Sequence, residues 1–143
     1  MEQHALCVKS NLVNLALISE FVGEQAKQLG LNEHQVFDIQ MAVDEACTNS
    51  MEHAYDGQDT GEVTVCCYSE DGDLVIKVTD YGKPFDPSQV PEPDVSLPLE
   101  QRSIGGLGLY LMRRLMDSVE FSKQASCGNE VTMRKHLNLA EQH

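Results

Sequence analysis

A chain of 143 residues is long enough to bury the core of one compact domain without disulfides or metal staples, and 41% hydrophobic with 23% charged residues excludes wholesale disorder. A formal net charge of −13 repels phosphate backbones and anionic lipid, which argues against direct nucleic-acid binding and against a membrane surface. Five cysteines without a C-x-x-C pair read as free thiols, and MEQHALCVKS lacks the basic and apolar regions of a leader, so a soluble cytoplasmic protein is expected.

A short strand is predicted around Ala5 to Val8. Ser10 or Asn11 then caps a helix whose apolar positions Leu12, Leu15, Ala16, Ile18 and Val22 recur at helical spacing, and Gly30 ends it. Asn32 with Gln35 has the form of a capping box for a second helix, which carries Val36, Ile39, Val43, Ala46, Cys47 and Ala54 on one arc and stops at Asp56-Gly57. EVTVCCY, the turn EDGD and LVIKVTD read as an antiparallel hairpin with the second strand the more hydrophobic.

All five prolines (Pro84, Pro87, Pro91, Pro93 and Pro98) follow, and that spacing breaks any regular element. A loop this long in a small domain is usually functional, so residues 82–104 are expected to form a lid. GGLGLYLMRRLMD then enters a helix, and VEFSKQ and EVTMRKHL are strands around a turn at Cys127-Gly128-Asn129. Helices and strands that do not alternate as βαβ predict one domain over 1–143. Its fold class is α/β in the α+β sense: a two-layer sandwich with a mixed, mostly antiparallel sheet and helices on one face.

Three stretches carry chemistry. On the second helix, Glu45 and Asn49 point within roughly 40° of each other one turn apart. A carboxylate beside an amide oxygen suits hard-cation chemistry, in which the amide ligates Mg²⁺ and the carboxylate takes a proton from a hydroxyl. The same residues, with Asp38 and Asp56, equally describe the solvated face of an amphipathic helix, and His53 reads as a border residue. DYGKPFDP, from Asp80, ends the hydrophobic strand. Its Asp-x-Gly makes a good turn, but its carboxylate can also accept from an exocyclic amine, with Gly82 allowing a flat base to approach. In RSIGGLGLYLMRR, Gly105, Gly106 and Gly108 just before a helix can turn backbone N–H groups toward phosphates, with Arg102 beside them; Arg113 and Arg114 suit the helix's last turn. No G-x-x-x-x-G-K-[ST], third dinucleotide-fold glycine, H-E-x-x-H pair or nucleophile elbow is present.

Taken in order, Glu-x-x-x-Asn, Asp-x-Gly-x-Pro and Gly-Gly-x-Gly resemble the three nucleotide boxes of the gyrase, Hsp90, histidine kinase and MutL ATPase superfamily. More narrowly, DEACTNSMEHAY, DYGKPFDP and GGLGLYLMRRLMD are similar to the anti-sigma factor serine/threonine kinases of bacterial stress and sporulation switches. The resemblance implies the Bergerat ATP-binding fold, with ATP and Mg²⁺ as cofactors. It implies Glu45 as general base, Asn49 as Mg²⁺ ligand, Asp80 as reader of the adenine amine with Thr132 as a second contact, and Gly82 and Pro84 beside the base. Arg102, Gly105, Gly106, Leu107 and Gly108 would hold phosphates. The implied partners are an anti-anti-sigma (STAS-type) antagonist, a sigma factor or other regulator, and a second copy in a homodimer. Close relatives often carry an arginine on the first helix, whereas here the first arginine is Arg102 and that helix has only Lys9 and Lys27 at its ends. The alternative is a nucleotide-binding regulatory module without phosphoryl transfer.

Overall fold

The computed structural model of the chain describes residues 3–55, 60–83, 104–124 and 128–137. Strand β1 (His4–Lys9) leads to Asn11, whose side chain accepts from the Val13 N–H at 3.0 Å and caps a short 3₁₀ turn, Leu12–Asn14. Helix α1 (Leu15–Gln28) continues from that turn, so the predicted cap is Asn11, with a tighter first turn than an α-helix would give. Ser10 is not a cap. Its side chain is buried, and its backbone N–H donates to the Gly61 carbonyl.

α1 buries Ile18, Val22 and Ala26 and comes close to α2 (Glu33–Asn49) at Gly23, where a Cβ would lie 2.5 Å from the Gln40 amide nitrogen. The Asn32–Gln35 capping box forms in both directions, at 3.0 and 2.9 Å, and fixes where α2 starts. α2 buries Val36, Ile39, Val43, Ala46 and Cys47, as its periodicity requires. The helix does not run in α register as far as predicted. At Ser50–Ala54 it widens into a π turn, which brings Met51 and Ala54 into the core. Asp56 and Gly57 lie outside the described residues.

Strands β2 (Glu62–Glu70) and β3 (Asp73–Asp80) form the expected hairpin. Asp71 (φ 53°) and Gly72 (φ 81°) supply the two left-handed positions that a two-residue hairpin turn needs. After α3 (Ile104–Leu115), β4 (Ser118–Gln124) and β5 (Gly128–His136) complete the sheet, whose order is β1-β2-β3-β5-β4. Each pairing among the described residues is antiparallel. β3 is the central strand; Leu74, Ile76 and Val78 are buried on its helix-covered face, and the other face carries buried Val75 beside the half-buried Lys77 and Thr79.

Register turns this alternation into rows across the helix-covered face. Cys67, Ile76, Met133 and Val119 form one row, and Leu6, Val65, Val78, Val131 and Phe121 the next. The following row, Val63, Asp80 and Asn129, turns polar at the edge of the core. Beneath the other end, the Lys135 ammonium donates to the Leu115 carbonyl at 2.6 Å and ties β5 to the C-terminus of α3. No described helix is long and apolar enough to cross a membrane. Of the predicted lid, only Gly82, Lys83 and Ile104 fall within the described residues.

Candidate functional site

Asp80 is the last residue of β3 and only 5% exposed, although it carries a carboxyl group. Burial at that level demands partners. Its Oδ1 accepts from the Gly82 N–H at 3.1 Å and from the Asn129 side-chain amide at 2.8 Å, so one oxygen holds the turn, and among the described residues no donor is bonded to Oδ2. The Asn129 amide also donates to the Gly82 and Lys83 carbonyls, at 3.0 and 3.1 Å, and joins the start of β5 to the residues leaving β3. Gly82 is required by close approach: a Cβ there would lie 2.2 Å from the Ala54 carbonyl oxygen.

Beside this turn an open cleft is lined by Ala46, Asn49, Val78, Asp80, Phe121 and Asn129, among others. Apolar walls with a few converging polar groups suit a flat heterocycle with an N–H donor on its edge. Asn49, on the last turn of α2, shares this cleft with Asp80, and Glu45 lies one turn back along the same helix.

Glu45 is half-buried, and its carboxyl is held above the usual carboxylate range. Loss of water on burial is the largest cause, followed by the charges of Asp44 and Glu52. Asp44 is raised as well, by burial. The start of α3 packs against Glu45, because a Cβ on Gly108 would lie 2.7 Å from its Oε2. Gly105, Gly106, Leu107 and Gly108 stand inside the first turns of α3, where they had been expected just before a helix. The N–H groups of the N-cap and of the first three helical residues have no intrahelical acceptor, so this shift leaves Gly105 and Gly106 among the donors that an anion could meet. Arg113 and Arg114 lie in the last turn, as expected, and Arg114 sits 5.9 Å from the centre of the Tyr110 ring.

Thr132 is not brought to this site. It pairs with Lys77 across the ladder, one residue from Val131 and from Met133, both of which face the helices. Strand alternation therefore turns it to the opposite face of the sheet. Asn129, two residues before Val131, holds the inner position beside Asp80. Counting alternate residues back from the apolar Met133 and Val131 is the signal that identifies it. Pro84 and Arg102 lie outside the described residues, as does the side chain of His53.

No cluster of three or more His, Cys, Asp or Glu able to hold a cation occurs among the described residues. One amide oxygen near a partly desolvated carboxylate fits a hard cation that arrives with phosphate ligands of its own better than a resident metal.

The family model described as the histidine kinase-like ATPase domain matches residues 8–135. The chain is 42% identical over 119 residues to the serine-protein kinase RsbW of Bacillus pumilus (strain SAFR-032), covering 79% of this chain and 72% of that one. It is 39% identical over 117 residues to the serine-protein kinase RsbW of Bacillus velezensis, again covering 79% and 72%. Its backbone is similar to a crystal structure of the RsbU and RsbW domains of Rv1364c from Mycobacterium tuberculosis, with a TM-score of 0.67 at 17% identity. That match covers 95% of this chain and 32% of the other, and speaks to fold alone.

Proposed function

The chain belongs to the histidine kinase-like ATPase domain family and, within it, to the RsbW-like serine-protein kinases, and from that premise we propose that it binds Mg²⁺-ATP in the cleft between α2 and β3 and transfers the γ-phosphate to a serine or threonine of an antagonist protein. One observation supports this most strongly: Asn49 and Asp80 line the same cleft, with Glu45 one turn from Asn49 and the start of α3 against it.

In this reading Asp80 Oδ2 accepts from the adenine amine, while Asn129 and the Gly82 N–H keep the carboxylate aimed. The Asn49 amide oxygen would hold the Mg²⁺ that the nucleotide carries, which would supply neutralisation of the phosphate charge. The N–H groups at the start of α3 receive the phosphates, and Arg102, two positions before α3 in the sequence, supplies positive charge for them. Glu45, ionised, takes the proton from the acceptor hydroxyl; that oxygen bonds to the γ-phosphorus as the bond to the ADP oxygen breaks. A carboxyl raised above the ordinary range is a stronger base once ionised, which suits this task.

The partners that follow are an anti-anti-sigma antagonist of the STAS type and a sigma factor or similar regulator held by the same domain, which acts as a homodimer in the cytoplasm. The test is incubation of the protein with γ-labelled ATP, Mg²⁺ and a STAS-type antagonist domain from the same organism. Label on an antagonist serine or threonine, lost with Glu45→Ala, is expected. An antagonist that binds and acquires no label overturns the kinase reading. A second reading, nucleotide binding without transfer, is favoured by α1, where Lys27 is the basic residue of the last turn and no arginine occurs. It predicts Mg²⁺-ATP binding that Asn49→Ala weakens, and no turnover.

A further inference from the structure

We propose that Tyr55 is a positioning residue for base recognition: its hydroxyl ties the end of the helix bearing Glu45 and Asn49 to the backbone that presents Asp80. It thereby fixes where a base is read relative to where phosphates are held. The inference rests on the nucleotide site described above.

The register of the β2–β3 ladder carries the argument. Its last pair is Val63 with Asp80, so the next step would set Glu62 opposite Tyr81. That step is not made directly. The Tyr55 hydroxyl accepts from the Tyr81 N–H at 2.8 Å and donates to the Glu62 carbonyl at 3.0 Å, standing between the two groups as a bridge. A bridging oxygen holds the strands farther apart than a direct bond does, so β3 leaves the ladder immediately after Asp80.

The ring is held as firmly as the hydroxyl. It lies on the backbone of Gly61, where a Cβ would fall 2.2 Å from the ring carbon Cε1. Two neighbouring contacts run parallel to it. The Lys83 N–H donates to the Ala54 carbonyl at 2.9 Å, and Gly82 sits against that same carbonyl with no space for a side chain. Ala54 and Tyr55 thus meet Tyr81, Gly82 and Lys83 in one continuous contact.

The π turn at Ser50–Ala54 immediately precedes this contact. A π turn takes one residue more per hydrogen bond than an α turn, which changes the direction in which the following residues point. It follows Asn49 and is followed by Tyr55, so it lies between the proposed metal ligand and the tie to the base-reading turn. Tyr55 touches neither base nor phosphate in this arrangement. It acts through Asp80 and Gly82.

The test is Tyr55→Phe, which keeps the ring on Gly61 and removes only the oxygen. Calorimetry compares Mg²⁺-ATP with Mg²⁺-ITP, whose base carries a carbonyl where adenine has the amine. Wild type is expected to prefer ATP, and in Tyr55→Phe that preference is expected to fall roughly five-fold, the size of one net hydrogen bond, while affinity for Mg²⁺-tripolyphosphate is unchanged. A folded Tyr55→Phe protein that keeps the ATP-to-ITP ratio of wild type, even with a lowered melting temperature, overturns the inference and leaves the nucleotide site intact. A wild type that binds both nucleotides equally overturns the site and the inference together.

Discussion

At one end of the cleft Asp80 accepts from Gly82 and Asn129, Asn129 donates to three oxygens, and the Gly82 backbone rests on Ala54. At the other end the side chains of Glu45 and Asn49 have no hydrogen-bond partner among the described residues, and Glu45 is short of water with Asp44 and Glu52 close by. The end proposed to read the base is set in advance and loses little order when a ligand arrives, which is what recognition requires. At the proposed chemical end no described side chain pairs with Glu45 or Asn49, which suits a proton acceptor and a metal ligand that take up their partners with the substrate. The contrast predicts that substitutions at the two ends separate affinity from turnover.

The sharpest separation is expected from Glu45→Gln. Phosphoryl transfer should drop roughly 10²- to 10⁴-fold in a single-turnover assay, while ATP affinity changes less than about two-fold. The same residue sets a pH dependence. Its pKa in the folded protein lies above the ordinary value of 4.5, so the acid limb of the transfer rate should stand above the ordinary carboxylate range. Stability responds in the opposite sense to a salt-bridged carboxylate. Because folding raises this pKa, the native state binds more protons in the window above 4.5, and stability falls as pH rises through that window. Glu45→Gln should therefore melt higher than wild type at neutral pH, and the advantage should vanish at pH values below 4.5 in paired thermal melts.

At the recognition end, Asp80→Asn should weaken ATP binding roughly 10- to 100-fold by calorimetry, since it replaces a charged acceptor with an amide that can only partly replace it. Gly108→Ala probes the boundary between the ends. The new Cβ would meet Glu45 Oε2 at 2.7 Å, and the carboxylate, at the end of a flexible side chain, must move aside. Transfer should slow by about ten-fold, while alanine's helix preference of about 1 kcal/mol holds or raises the melting temperature. The smallest effect is expected far from the cleft. Asn32→Ala should cost about 1 kcal/mol of stability in a denaturant titration through loss of the capping box, with transfer unchanged.

The fold was legible in the sequence where local chemistry decides it. The Asn32–Gln35 box, the Asp71-Gly72 turn and the apolar run of β3 each specify their element from side chains within a few positions. The wider turn at Ser50–Ala54 was not legible, because its apolar residues fit either helical period and only the tertiary contact at Ala54 distinguishes them. In the site, Glu45, Asn49 and Asp80 could be named from spacing and resemblance. The resemblance implied Thr132 as a second contact, whereas strand alternation favours Asn129, which reads locally as a turn residue. Tyr55 left no trace in the pattern, since its partners Glu62 and Tyr81 are backbone groups whose positions depend on register.

The measurement that tests the division of the cleft most directly is a crystal structure of the protein with Mg²⁺ and a non-hydrolysable ATP analogue. The predicted result is an adenine amine about 3 Å from Asp80 Oδ2, with the metal on the Asn49 amide oxygen and the phosphates toward the start of α3. A nucleotide whose base lies away from Asp80, or whose metal is held without Asn49, contradicts the account.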